Sequence, residues 1–193
     1  AGIDSVALVA SRIAQYGIAC DLRWGFCELA NTAEQFAAFK DEQDDLATLG
    51  YRPETRLVGP GQLHEIVASD QYAGGLVDMG SGHLHPLDLV QGEARAAHSL
   101  GVRIFEQSPV LRIEHGPRVT LHTARGKVRA DSLVLGCNAH LDELEPRLSG
   151  KVLPAGSYVV ATEPLPEALA ATLIPQNMAL CDQKVGLDYY RLT

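Results

Sequence analysis

The sequence predicts an α/β (α+β) chain with a mixed sheet, on three observations. Through the first half, segments with apolar residues at helical spacing alternate with short strand-like runs. From Pro109 the period changes to 2, which predicts a three-stranded meander. Ser132 to Leu135 then runs continuously apolar at its end and stops at Gly136, the pattern of a strand covered on both faces, as in a parallel sheet.

The elements follow in order. Val6, Val9, Ile13 and Tyr16 lie at helical spacing and lead to Gly17, a residue suited to a left-handed helix end. "CDLRWGFCELA", Cys20 to Ala30, alternates enough to be a strand. Thr32 with Gln35 three positions on is a capping-box pattern, and Phe36, Phe39, Leu46 and Leu49 continue one helical face to Gly50. The acidic run Lys40 to Asp45 therefore falls on the solvated face. "YRPETRLVGPG" reads as a connection, followed by a short helical piece near Gln62 to Ala68 and a strand in "YAGGLVDM".

"GSGHLHP", Gly80 to Pro86, comes next and sets His83 and His85 one residue apart between glycines and a proline. On a strand the two rings would share a face, but one metal ion would need a third ligand from elsewhere, so no metal is predicted. The expected form is a turn in which the glycines reverse the chain, His85 caps a helix and Pro86 starts it. Leu87, Val90, Ala94 and Ala97 give that helix one face, and Gly101 ends it. Further strands are expected at "VRIFEQ", in the meander, at Ser132 to Leu135, at "SYVVATE" and at "VGLDYYRL", with a short helix from Pro166 to Thr172. The shift of character along the chain suggests two interleaved domains.

Composition excludes several classes. At 193 residues and 46% hydrophobic, the chain has ample material for a packed core. No apolar run approaches the roughly 20 residues of a membrane span, and the first residues lack the pattern of a signal peptide. A cytoplasmic protein without a membrane partner is expected. A net charge of -8 leaves no basic stripe for phosphates, so a small-molecule partner is expected rather than nucleic acid. The four cysteines stand singly with no CxxC, which predicts reduced thiols rather than zinc or redox chemistry.

Motifs for nucleotide and hydrolytic chemistry do not appear. There is no P-loop, "GPGQLH" and "GSGHLH" both lack the third glycine of GxGxxG, and neither GxSxG nor HExxH occurs.

Taken together, "CDLRWG", "GGLVDMGSGHLHPLDL", "GVRIFEQSPVLRIE", "LHTARGKVRADSLVLGCNAHL", "VVATEPL" and "LDYYRLT" resemble the gamma-glutamylputrescine oxidoreductases. These belong to the D-amino-acid oxidase and glycine oxidase superfamily of FAD-dependent amine oxidases. The resemblance covers nearly the whole chain, in order. It implies a mixed-sheet substrate domain interleaved with part of a Rossmann-like FAD-binding domain that includes the meander. The expected boundaries are residues 1–82 for the first part of the substrate domain, 83–149 for the central FAD portion and 150–193 for the second substrate part.

Such relatives carry GxGxxG near the N-terminus and a glycine-rich FAD segment near the C-terminus, and neither occurs in these 193 residues. The first residues run straight into a helical pattern and the last stop inside a strand pattern. An internal fragment of a longer enzyme is therefore expected, colourless and inactive when isolated and not retaining FAD. Its exposed sheet edges would favour a homodimer.

The resemblance also implies site residues. Val110, in "EQSPV", matches the valine whose backbone contacts the FAD adenine, and Gly136 and Asn138 lie in a cofactor-facing turn. That turn departs from many relatives, which have glycine at the place of Asn138 and tryptophan at that of His140. Tyr189 and Tyr190 sit where relatives bring a strand across the flavin, and alternate faces allow one of them into the pocket. Trp24, Arg23, His83 and His85 are further pocket-lining candidates. No catalytic residue is identified.

The implied reaction oxidises an amine C–N bond to an imine, then an aldehyde, with release of ammonia and peroxide. A glycine- or sarcosine-type oxidase or dehydrogenase is the alternative within the superfamily. A non-catalytic ligand-binding module is the alternative outside it.

Overall fold

The computed structural model of the chain describes residues 2–141 and 143–193. In chain order the elements are α1 (Gly2–Tyr16), β1 (Arg23–Ala30), α2 (Ala33–Thr48), β2 (Thr55–Val58), a 3-10 helix (Pro60–Glu65), β3 (Gly74–His83) and α3 (Pro86–Ser99). Then follow β4 (Val110–Glu114), β5 (Val119–Thr123), β6 (Gly126–Ala130), a second 3-10 helix (Asn138–Leu141), α4 (Pro146–Ser149), α5 (Glu167–Leu173), β7 (Ala179–Asp182) and β8 (Tyr189–Tyr190). They form two compact units, one of residues up to Val102 together with Thr162–Thr193, the other Arg103–Ala161.

The first unit is built on a mixed sheet in the order β2-β3-β1-β7-β8. Its pairings are antiparallel except for β1 with β7. Alternation along β1 and its neighbours sends Cys27, Leu29, Val58, Val77 and Leu180 to one face, where Leu63, Ile66, Val67, Ile174 and Met178 complete the larger core. Ala30 and Leu76 point the other way, onto Phe39 of α2. With both faces covered, the middle of β3 reads "GLV" rather than alternating.

Local signals place the helix ends. Thr32 Oγ1 accepts from Gln35 N at 3.2 Å while Gln35 Oε1 accepts from Thr32 N at 3.1 Å, a complete capping box on α2. Gly17, Gly50 and Gly101, all at positive φ, follow α1, α2 and α3. The charged residues of Lys40–Asp45 are exposed as expected, while Gln43 turns in to donate to the Thr55 carbonyl at 2.9 Å.

"GSGH" differs from expectation: it continues β3 instead of turning. Trp24 pairs with Gly82 and Phe26 with Asp78, so a two-residue step in β1 faces a four-residue step in β3 and the extra residues bulge. Asp78 holds the bulge, accepting from Tyr51 O–H (2.7 Å), Gly80 N–H (2.8 Å) and Ser81 O–H (2.6 Å). Its glycines serve close approach. A Cβ on Gly82 would meet the Arg23 carbonyl, and one on Gly80 would meet Tyr51 and Pro53.

His85 and Pro86 do start α3, with Pro86 in its first turn and His85 as the N-cap. The buried face of α3 is not the expected one. Gly92 is buried and lies against Ile18, while Leu87 and Val90 are exposed.

In the second unit β4, β5 and β6 form the expected antiparallel meander. Glu145 caps α4, and its buried carboxylate lies 2.7 Å from His115 Nε2. Three expected strands do not form. Val102–Gln107, Ser132–Leu135 and Ser157–Glu163 have no strand partner among the described residues, and Val134, Tyr158, Val159 and Val160 are at least nine-tenths exposed. Apolar periodicity selects an extended segment, but a strand exists only where a neighbour takes up its backbone N–H and C=O groups. "VGLDYYRL" is likewise reduced to the two residues of β8. β2 and β7 were not expected; each is four residues long and is defined by its pairing, β2 to the next strand β3 and β7 to the distant β1. No helix is long and apolar enough to cross a membrane, among the described residues.

Candidate functional site

The mixed sheet separates the two tyrosines of β8. Tyr190 packs against the larger core, and its hydroxyl lies 3.0 Å from that of Tyr72. Burial, then the Tyr72 hydrogen bond, pushes its phenol well above the ordinary range. Tyr189 faces the opposite side, 57% exposed and stacked on Phe26 with ring centroids 6.3 Å apart and planes at 25°. Of the pair, Tyr189 is therefore the one available to a ligand. Trp24, at 41% exposed, pairs across the ladder with Gly82. Arg23 is an exposed partner of Asp21 at 2.9 Å.

Phe26 also borders a groove of about 430 Å³ on the α2 side of the sheet, with Glu28, Glu42, Tyr51, Leu76 and Asp78 among its walls. Its polar groups are mostly engaged. Asp78 holds the β3 bulge, and Glu28 Oε1 accepts from Gln183 Nε2 at 2.9 Å. Burial, first, and the Asp78 hydrogen bond push the Tyr51 phenol up to about 12. Burial and then the charge of Glu28 raise the Glu42 pKa.

The two histidines of "GSGHLHP" part company. The His85 ring stays at its cap, with Nδ1 3.3 Å from Asp88 N and 3.1 Å from Asp88 Oδ2. His83 is buried at the end of β3, with Nε2 2.8 Å from the Asn177 carbonyl and Nδ1 3.2 Å from Arg191 Nη1. A carbonyl can only accept and a guanidinium can only donate, so these contacts specify the Nε2–H tautomer. Arg191 is the residue that sequence reasoning missed. Its position after "DYY" was visible, but nothing local ties it to a histidine 108 residues earlier. No group of three or more His, Cys, Asp or Glu that could hold a metal ion occurs among the described residues.

The β7–β8 connection is held by Asp182, whose side chain is fully buried. It receives Lys184 Nζ at 2.8 Å, the backbone N–H groups of Lys184 (3.2 Å) and Asp188 (2.9 Å), and Asn31 Nδ2 at 3.4 Å. Burial works to raise its pKa, but these donors outweigh it and hold the carboxyl down to about 2.

The remaining candidates lie in the second unit. Val110 opens β4, an edge strand of the meander, so one side of that backbone has no ladder partner among the described residues. Gly136 is exposed, with open space where a Cβ would stand, and Asn138 adopts φ +50 at the start of the second 3-10 helix.

A mixed α/β architecture of this kind is shared with solved oxidoreductases. L-proline dehydrogenase from P. horikoshii matches with a TM-score of 0.73 at 18% identity, over 98% of this chain and 51% of that one. Glycine oxidase from Geobacillus kaustophilus matches with a TM-score of 0.62 at 24% identity, over 74% of this chain and 39% of that one. At such identities the likeness is one of fold.

The sequence carries the assignment further. The chain belongs to the FAD dependent oxidoreductase (DAO) family, whose model matches residues 1–193. It is 38% identical over 187 residues to gamma-glutamylputrescine oxidoreductase of Escherichia coli K12, covering 96% of this chain and 44% of that protein. To a probable oxidoreductase, OrdL, of Haemophilus influenzae it is 37% identical, covering 99% of this chain and 46% of that protein. The chain thus spans less than half the length of these curated relatives.

FAD is the cofactor of the family. The described residues fit part of it: an unpaired β4 edge at Val110 suits the hydrogen-bonding edge of an adenine, and Asn138 makes a sharp turn beyond Gly136. None of them forms a glycine-rich phosphate turn opening a helix.

Proposed function

We propose that this chain is part of a longer FAD-dependent enzyme that oxidises the C–N bond of a primary amine of the gamma-glutamylputrescine type. The observation that carries the reading is the 38% identity to the Escherichia coli gamma-glutamylputrescine oxidoreductase over 96% of the chain. Amine, oxygen and water give aldehyde, ammonia and hydrogen peroxide, with two electrons and two protons leaving the C–N unit to form the imine that water then hydrolyses. When bound, FAD supplies the acceptor for those electrons.

The chain's own contribution is binding and orientation. Tyr189 offers an exposed ring stacked on Phe26, and Trp24 offers an apolar wall. In this reading residues 1–82 and 150–193 serve the substrate and residues 83–149 serve the flavin. The exposed apolar segments around Val134 and Tyr158–Val160 are then strands whose partners lie in the remainder of the enzyme.

The test is peroxide release by the full-length, flavin-loaded enzyme across gamma-glutamylputrescine, putrescine, glycine and sarcosine. Preference for gamma-glutamylputrescine is expected. Preference for glycine or sarcosine would reject the substrate class, and a lack of peroxide with every amine would reject oxidase chemistry.

A further inference from the structure

We propose that Phe26 is the positioning residue for Tyr189, holding that ring over β7 as a fixed wall of the amine site. This rests on the reading above and deepens it, by naming the group through which the sheet sets the one tyrosine of β8 that a ligand can reach.

The sheet register brings the two rings to one face. β7 stands between β1 and β8. Phe26 pairs with Ala179 and Tyr189 with Cys181, so all four side chains rise from the same side of the sheet. Strands two places apart lie about 10 Å from each other, yet the ring centroids are 6.3 Å apart with planes at 25°. Each ring therefore leans inward over β7. The lean is possible because β7 puts only a methyl group and a thiol beneath it, on the fully buried Ala179 and the half-buried Cys181. A longer side chain there would drive the rings apart.

Stacking changes what Tyr189 can offer a ligand. The backbone below it is already fixed, since Tyr190 is anchored in the larger core with its hydroxyl 3.0 Å from that of Tyr72. What remains to be set is the direction of the Tyr189 ring. An exposed ring without a neighbour exchanges between rotamers, and a ligand would have to immobilise it on binding. Against Phe26 the ring has a stacked partner at a separation favourable to aromatic pairs, so its direction is fixed beforehand. Phe26 is suited to this role because it is half-buried on a strand paired on both sides, to β3 and to β7.

The experiment uses the full-length, flavin-loaded enzyme with gamma-glutamylputrescine, or with whichever of the four amines named above it prefers. In Phe26→Leu, KM is expected to rise about 3- to 10-fold, the worth of one stacked aromatic pair, while kcat changes by less than about twofold. Phe26→Tyr keeps a ring in place and restores most of the loss. Ala179→Val keeps both rings but pushes between them, and it carries the test if the leucine variant fails to fold, with a rise in KM of about 2- to 5-fold.

Coupling between the two positions separates positioning from a merely structural role. Tyr189→Leu raises KM at least as far as Phe26→Leu, and the double variant is no worse than Tyr189→Leu alone. Losses that multiply in the double variant, or a KM that Phe26→Leu leaves unchanged, would overturn the proposal. A meta-fluorinated tyrosine at position 189 reads the ring without turnover: its fluorine resonance moves in Phe26→Leu and in Ala179→Val, and an unmoved resonance overturns the proposal as well. If that resonance moves but the unaltered enzyme turns over no amine, the reading of function fails instead.

Discussion

Replacing Asp182 by asparagine tests whether the β7–β8 connection is held by a charge. The carboxylate is fully buried and is the shared acceptor of Lys184, Asp188 and Asn31, with its pKa lowered from 3.8 to about 2. At 1.36 kcal/mol per pKa unit, that depression corresponds to about 2 kcal/mol of stability. The sign follows from the direction of the shift. A carboxyl whose folded pKa lies below its unfolded value contributes fully above about pH 4, and the contribution is lost as pH falls through about 2.

Asp182→Asn is therefore expected to be less stable than the parent by about 2 kcal/mol at pH 7 in urea unfolding. Other carboxyl groups titrate in both proteins, so the readout is the difference between the two curves. It narrows as pH falls from 4 towards 2, where the parent's own Asp182 gains a proton. A difference that stays constant over that window would refute the electrostatic account and leave asparagine merely a poor fit. The same substitution loosens β8, which carries Tyr189 and Tyr190, so it also weakens substrate binding if Tyr189 lines the site.

Other perturbations separate packing from site roles. Phe39→Ala, at a ring 1% exposed between α2 and the sheet, is expected to cost about 3–5 kcal/mol, read as a lowered melting temperature. Gly82→Ala drives a Cβ into the Arg23 carbonyl and is expected to cost on the order of 1–3 kcal/mol, whereas Gly59→Ala meets open space and stays within about 0.5 kcal/mol; equal effects would contradict the bulge geometry. In the native protein Cys27, fully buried and with its thiol pushed up to about 12 chiefly by burial, is expected to escape thiol reagents that modify the half-buried Cys137 and Cys181; peptide mapping after brief labelling decides this.

Features set within a few residues were legible: the Thr32 capping box, the glycines after three helices, Pro86 opening α3, and the hairpin turns of the meander. Family membership was legible too, because side-chain identities persist in order along the whole chain.

What the sequence alone could not decide was set by partners far away. β7 exists because β1, some 150 residues earlier, takes its backbone, while the more apolar Tyr158–Val160 has no strand partner among the described residues. "GSGH" looked like a turn because glycine permits one, yet the close approach of Arg23, Tyr51 and Pro53 makes glycine necessary there in a strand. Alternation put Tyr189 and Tyr190 on opposite faces in advance; only packing against Tyr72 and Phe26 told which one is buried. The sequence by itself thus determined the helix ends, the meander and the family. Tertiary structure decided the sheet order, the bulge and the His83–Arg191 pair, because each depends on groups brought together by the fold rather than by the chain.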